Sequence, residues 1–275
     1  MIKIGLIDFY IDEWHANNFA KRYRELADEV GVECEIAGVF ALTDSPAEGS
    51  LGTAAWCESH GFKHLDKIEA LAAESDAFII FAPDDPERHP ELARLVLPFG
   101  KPTFIDKTFA LTVADAKYML DLAKACGARM YTTSSLRYAD EVRAARGAST
   151  VSVYGNYVHL KDYLVHTAEM VITVLGVGVS SVCCDTDGEK YTFTVEYADQ
   201  RRATVEMTPV YGFKVNGKEV ESDIFGGQIK DMLRFFVGGE SPVSTEEILD
   251  VARLVEGGML AANASGRRVN LSPLG

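Results

Sequence analysis

Short apolar runs alternate with amphipathic stretches through the first half of the chain. IKIGLI reads as a buried strand, and Asp12 then offers an N-cap for a helix through EWHANNFAKRYRELADEV. ECEIAGVF predicts a second strand, followed by the Ser/Pro/Gly-bearing loop TDSPAEGSLG and two short helices near 54–60 and 67–74. AFIIFAP, KPTFID and ARMYTTS predict three more strands, separated by helices in PERHPELARLVLP and TVADAKYMLDLAKACG. Strands that are apolar throughout and separated by helices imply a parallel sheet covered on both faces. The expected fold class is α/β, a Rossmann-type doubly wound sheet with its ligand crevice at the carboxyl ends of the strands.

Near Arg137 the pattern changes. After the helix-like YADEVRAAR come a strand (TVSVYGNYVH) and a strongly apolar helix (KDYLVHTAEMVITVLG). VSSVCC, KYTFTVEYA, RRATVEMTPV and GFKVNG then follow as strands joined by short Asp- and Gly-bearing turns, which favours antiparallel pairing. Two helices close the chain, near 222–237 and 245–263. The expected organisation is a nucleotide-binding-like domain over 1–137 and a smaller α+β domain with a mostly antiparallel sheet over 138–275.

Composition narrows the partners. Over 275 residues, 27 Lys and Arg against 41 Asp and Glu give a formal net charge of −14, and 47% of residues are hydrophobic. A pI near 4.9 argues against nucleic acid and against anionic membranes, both of which need clustered basic residues. MIKIGLIDFY lacks the basic start of a signal peptide, and no apolar run reaches the ~18 residues of a membrane span. The five cysteines form no C-x-x-C pair, as expected of free thiols in a reducing compartment. A cytoplasmic protein is expected.

The helix near 161–175 carries the densest polar constellation: Asp162, His166, Glu169 and Thr173 share one stripe among Tyr, Leu, Val, Met and Ile. Asp162 stands one turn before His166, placed to orient the imidazole and raise its basicity, which suits proton transfer near neutral pH. A solvated face on an otherwise buried helix gives the same pattern. Lys107 and Asp106 follow the fourth strand, and His89 follows the third, where a crevice would lie; a surface Lys–Asp pair and an exposed loop histidine are the plainer readings.

The first strand-to-helix turn lacks G-x-G-x-x-G. No glycine stands between Gly5 and Gly31, and Asp8, Asp12 and Glu13 crowd the position a phosphate would take. Asp12 and Glu13 suit the positive end of a helix dipole. Asp8, Asp12 and His15 do not make a recognised ligand spacing, so no metal is expected.

The order of these pieces resembles the glucose–fructose oxidoreductase / inositol dehydrogenase / MocA family (Gfo/Idh/MocA). IKIGLI with a turn ending in His15-Ala16, the segment GKPTFIDKTFALTVADAKYMLDLAKACGARMYTTSSLRY, the Asp162-x-x-x-His166 helix, VLGVGVSSV and the ending EEILDVARLVEGGMLAANASGRRVNL carry the resemblance over nearly the whole chain. It implies an oxidoreductase that moves hydride between NAD or NADP and a CH–OH group of a sugar, polyol or related small molecule. Lys107 would contact the reacting hydroxyl, and His166, with Asp162 beside it, would exchange the proton. Asp8, Phe9, Tyr10, Ile11, Ala82, Pro83, His89 and Asp106 would lie at the cofactor, and Arg137 and Tyr157 at the substrate. The other partners implied are copies of the same chain.

Departures from the family pattern shape the expectation further. The E-K-P loop reads Asp106-Lys107-Thr108, the ribose-binding acid after the second strand is out of register at Ala41-Leu42-Thr43, and the second domain is short, implying a reduced sheet. The expected cofactor binding is weak or altered. The alternative is a family-like protein without redox activity that binds a small molecule or partner in the same crevice.

Overall fold

The computed structural model describes residues 1–264 and 266–272. Two compact units emerge. The first comprises Met1–Phe109, Lys117–Thr132 and Gln228–Pro242; the second comprises Ala110–Ala116, Thr133–Gly227 and the described residues from Val243 on.

The first unit is built on five parallel strands in the order β2-β1-β3-β4-β5. They are β1 (Ile2–Asp8), β2 (Cys34–Ala41), β3 (Ala77–Ile80), β4 (Thr103–Ile105) and β5 (Met130–Tyr131). Ile4, Leu6, Ile7, Phe78, Ile79, Ile80, Phe104 and Ile105 are all buried, as strands covered on both faces require. The helices are α1 (Trp14–Val30), α2 (Thr53–His60), α3 (Ile68–Glu74), α4 (His89–Val96) and α5 (Val113–Ala125). α1 buries Ala16, Phe19, Tyr23, Leu26 and Ala27, a stripe at helical spacing, and Gly31 ends it in the left-handed conformation (φ 68°). Its cap is Glu13 rather than the expected Asp12, whose carboxylate instead accepts from Asn17 Nδ2 and the Leu51 amide. The strand order reverses between β1 and β3, so the switch point of this sheet lies at Asp8 and Ala82.

Two expected elements shrink. ARMYTTS pairs only through Met130 and Tyr131, because the chain leaves the sheet at Thr132. The helix expected in YADEVRAAR is a 3-10 turn over Ser135–Tyr138 and a single α turn, α6 (Asp140–Arg143). Ala139, in extended conformation between them, interrupts the helix.

The second unit holds a seven-stranded sheet in the order β11-β10-β6-β9-β8-β7-β12. Its strands are β6 (Thr150–Asn156), β7 (Val179–Thr186), β8 (Tyr191–Tyr197), β9 (Arg202–Thr208), β10 (Phe213–Val215), β11 (Lys218–Glu219) and β12 (Val269–Asn270). All pairs are antiparallel except β6 with β9. That exception follows from connectivity: β6 enters the sheet before the α7 crossover, whereas β7, β8 and β9 form a hairpin series after it. Phe193, Val195, Ala203, Val205, Val151 and Val153 alternate inward against α7 (Leu160–Leu175) and α9 (Thr245–Ala262). A Cβ on Gly155 would stand 2.5 Å from Thr167 Cγ2, so glycine is what lets α7 lie this close to β6. α8 (Ile224–Phe236) groups with the first unit from Gln228 on, where Phe235 meets Tyr131 edge-on at 4.8 Å. Ser265, part of the family-like tail S-G-R-x-V-x-L, lies outside the described residues.

Candidate functional site

At the carboxyl ends of β1, β3 and β4 the sheet gathers Asp8, Ala82 and Asp106. Asp8 is buried, and its Oδ1 accepts the amides of Phe9 (2.7 Å) and Ala82 (2.9 Å). One carboxylate oxygen thus ties the two strands that flank the switch point. Ala82 is held in the left-handed region (φ 64°), a conformation that costs a non-glycine residue roughly 1–2 kcal/mol and that the bond to Asp8 offsets. Oδ2 of Asp8 is buried without a hydrogen bond, and burial, with Glu13 nearby, holds the carboxyl well above its ordinary range.

Glu13 occupies the start of α1. Its carboxylate accepts the His15 amide at 2.6 Å and the Ala16 amide beside it. These are the orphan N–H groups that a helix N-terminus offers to an anion. Burial pushes the Glu13 carboxyl up to about 7, against the opposing pull of His15 and of the two amides. Asp106 is buried as well: Oδ1 accepts the Lys107 amide at 2.8 Å and Oδ2 lies 2.5 Å from His15 Nδ1. Burial opposes it, yet His15 and Lys107 hold this carboxyl below the usual range. Two neighbouring acids are therefore driven in opposite directions by one difference, the presence of cationic partners at Asp106 and their scarcity at Asp8.

Lys107 is buried after β4, with Nζ donating to the Pro83 carbonyl at 3.2 Å, and the peptide that follows it is cis. This places Lys107, Asp106, Ala82, Pro83 and Asp8 in one group. The rest of the predicted cofactor set divides. Phe9 and Tyr10 are half-buried, with Arg88 over the Phe9 ring at 4.6 Å, and burial with Asp85 and Asp84 nearby raises the Tyr10 hydroxyl. Ile11 is packed into the core at 1% exposure. His89 is wholly buried: Nε2 faces the Phe81 carbonyl at 2.6 Å, and Nδ1 faces those of Thr108 and Phe109 at 2.9 and 3.1 Å. Burial lowers its pKa although every partner is an acceptor. Its visible role is to tie the loop after β4 to the end of β3.

The second unit carries its own cluster around α7. His166 Nδ1 lies 2.7 Å from Ser134 Oγ, and the ring packs edge-on against Tyr163 and Phe213, each at 5.6 Å. Asp162 is buried in the first turn of the same helix. Glu169 belongs to a buried network: it accepts from Arg137 Nε and from Thr133 Oγ1 (2.9 Å). Arg137 donates in turn from Nη1 to Glu247 at 2.9 Å. Burial would lower the guanidinium pKa, but the two carboxylates outweigh it and raise it further. Arg137 is 2% exposed, so the side chain expected at the substrate is taken up with Glu169 and Glu247. Tyr157 gives its hydroxyl to the Glu189 carbonyl at 2.7 Å and rests edge-on against Tyr191.

Ser134, Thr133 and Glu247 were not picked out from sequence. Ser244-x-x-Glu247 is a capping-box signature, and it holds here with both reciprocal bonds. Ser134 caps the short 3-10 turn by accepting the Leu136 amide, a signal hidden in the run TTSS. Among the described residues no cluster of three or more His, Cys, Asp or Glu is arranged to hold a metal ion, and no helix is long and apolar enough to cross a membrane.

No curated protein matches the chain. Solved structures share the fold at low identity. A myo-inositol dehydrogenase from Lactobacillus casei, in complex with NAD(H) and myo-inositol, superposes with a TM-score of 0.79 at 14% identity, covering 100% of this chain and 98% of its own. A UDP-N-acetylglucosamine 3-dehydrogenase from Acidithiobacillus ferrooxidans gives 0.75 at 14%, covering 96% and 97%. An oxidoreductase from Agrobacterium radiobacter, in complex with NAD+, L-tartaric acid and magnesium, gives 0.73 at 15%, covering 98% of each. The five-stranded parallel sheet and the α1 turn fall within residues 2–134, which match the family model GFO_IDH_MocA, described as "Oxidoreductase family, NAD-binding Rossmann fold".

Proposed function

We propose that the chain is an oxidoreductase for a CH–OH group of a sugar, polyol or related small molecule, with NAD or NADP bound weakly and its diphosphate displaced from the start of α1. The observation that carries the enzymatic reading is Lys107, a buried ammonium at the carboxyl end of β4 in a unit of an NAD-binding oxidoreductase family. Such an ammonium can donate to a substrate hydroxyl and favour its deprotonated form. His166, with Asp162 one turn earlier on α7, is a second hydrogen-bonding group suited to a hydroxyl. Solved structures that share the fold contain myo-inositol or L-tartaric acid, small polyhydroxylated molecules, which supports the substrate class.

The Glu13 carboxylate supports the altered cofactor binding, because the two amides that would meet a phosphate already meet a carboxylate. It also favours the second reading, a non-redox member that keeps the crevice for a small molecule or partner. One experiment separates them: NADH and NADPH are titrated by fluorescence, and turnover is then assayed over a panel of polyols and sugar acids. Weak dinucleotide binding with turnover that Lys107→Ala and His166→Ala each abolish supports the enzyme. Polyol binding without any dinucleotide binding supports the second reading.

A further inference from the structure

We infer that Ser134 is a positioning residue that holds the neutral His166 ring in the tautomer with its hydrogen on Nε2, so that His166 meets a ligand oxygen as a hydrogen-bond donor. This deepens the reading of His166 given above and rests on it for its functional meaning, though not for its test. Ser134 is completely buried. Its Oγ receives the Leu136 N–H at 3.2 Å, which uses one lone pair. Its hydroxyl hydrogen then needs an acceptor, and among the described residues the one within reach is His166 Nδ1, at 2.7 Å. A buried hydroxyl left without an acceptor forfeits a hydrogen bond and its solvation together, so the O–H points to Nδ1. A neutral imidazole whose Nδ1 accepts carries its hydrogen on Nε2.

The Ser134 backbone is pinned from both sides. Its amide points to Glu169 Oε2 at 3.5 Å, Thr133 Oγ1 lies within hydrogen-bond distance of both its carbonyl and Glu169, and Glu169 is in turn fixed by Arg137. The hydroxyl is therefore presented to α7 by a buried network and not by a free loop. The consequence narrows the chemistry: in this tautomer Nε2 has no lone pair, so the neutral ring cannot take a hydroxyl proton there. It orients and polarises a ligand oxygen as a hydrogen-bond donor.

The test is the 15N spectrum of the full chain labelled at histidine, with the His166 resonances assigned by their loss in His166→Gln. The expected result is an Nε2-protonated neutral ring in the wild type, a tautomer ratio moved about fivefold toward Nδ1–H in Ser134→Ala, and recovery in Ser134→Thr. An Nδ1-protonated wild-type ring overturns the inference, and should Ser134→Ala fail to fold, the wild-type spectrum and Ser134→Thr decide it. A ratio unmoved by Ser134→Ala, or one that collapses in Asp162→Asn alone, overturns it equally. Because the spectrum needs no turnover, its outcome is separate from that of the polyol assay.

Discussion

Glu13 closes the start of α1 by accepting the backbone N–H of His15 at 2.6 Å. In a dinucleotide-binding sheet this amide and its neighbour face the switch-point crevice, and here a side chain of the same helix cap fills the place of an external anion. Capping by Ser, Thr, Asp or Asn would have served the helix equally well. A longer, buried acid does more: above about pH 7, where it is ionised, it places negative charge beside Asp8 and Asp106.

Removing that carboxylate should therefore open the amides. Above about pH 7, where Glu13 is ionised, Glu13→Ala is expected to bind NADH about fivefold more tightly than wild type, the equivalent of relieving about 1 kcal/mol of repulsion against one phosphate charge at ~4 Å in water-like surroundings. The same change should cost about 1 kcal/mol of stability through the lost cap. Fluorescence titration and denaturant unfolding measure the two effects separately. Unchanged or weaker NADH binding in Glu13→Ala would show that the cap does not compete with the cofactor.

The acid pair also gives stability a direction in pH. The folded-state pKa of Glu13 is raised from 4.5 to about 7, and that of Asp8 is raised too. A group whose pKa is raised on folding contributes stability that is fully present below its unfolded value and is lost as pH rises through the folded value. The thermal midpoint is thus expected to fall between about pH 4.5 and 7 from Glu13 alone, with Asp8 adding loss in the same direction. Glu13→Gln, which keeps an acceptor for one amide but cannot ionise, should flatten that decline. A midpoint that instead climbs across this window in the wild type, with no change in slope in Glu13→Gln, would contradict the assignment.

Much of the first unit was legible because its signals are local. Each apolar run between polar helices became a parallel strand, and Gly31 marks the end of α1. The failures are equally physical. Asp12 looked like the cap because short acids usually are, yet its carboxylate is drawn off to Asn17 and Leu51, thirty-nine positions away in sequence in the latter case. His89 looked like a crevice residue because of its place after a strand, but its nitrogens answer three backbone carbonyls, which no pattern in DDPERHP reveals. Glu169 was visible on the His166 stripe. Thr133, its hydrogen-bond partner, and Glu247, the second partner of Arg137, were not, since a buried ion network is assembled from segments far apart in sequence.

That network should be costly to break. Glu169→Ala leaves the Arg137 guanidinium, 3% exposed at its side chain, facing Glu247 alone. Losing one partner of a buried ion pair typically costs about 3–5 kcal/mol because the other charge stays uncompensated. Denaturant unfolding should show a loss of that order. A loss below about 1 kcal/mol would mean that water reaches Arg137 and that the network is looser than its burial implies.

Asp8 makes the sharpest case, because its two oxygens differ. Oδ1 is committed to the Phe9 and Ala82 amides, while Oδ2 is buried with no hydrogen bond. Asp8→Asn keeps the Oδ1 bonds, so the junction of β1 and β3 should survive. It removes only the ionisation that burial opposes. At low pH, where wild-type Asp8 is neutral, the two proteins should be equally stable to within about 1 kcal/mol and should bind NADH equally. As pH rises through the elevated Asp8 pKa, the wild type gains a buried charge and the variant does not. The variant should then become the more stable of the two and bind NADH more tightly, by up to about fivefold for a carboxylate ~4 Å from a phosphate. Titrating both proteins with NADH at two pH values and fixed salt distinguishes this from a uniform effect. Tighter wild-type binding at high pH, lost in Asp8→Asn, would instead make the Asp8 carboxylate a ligand of the cofactor.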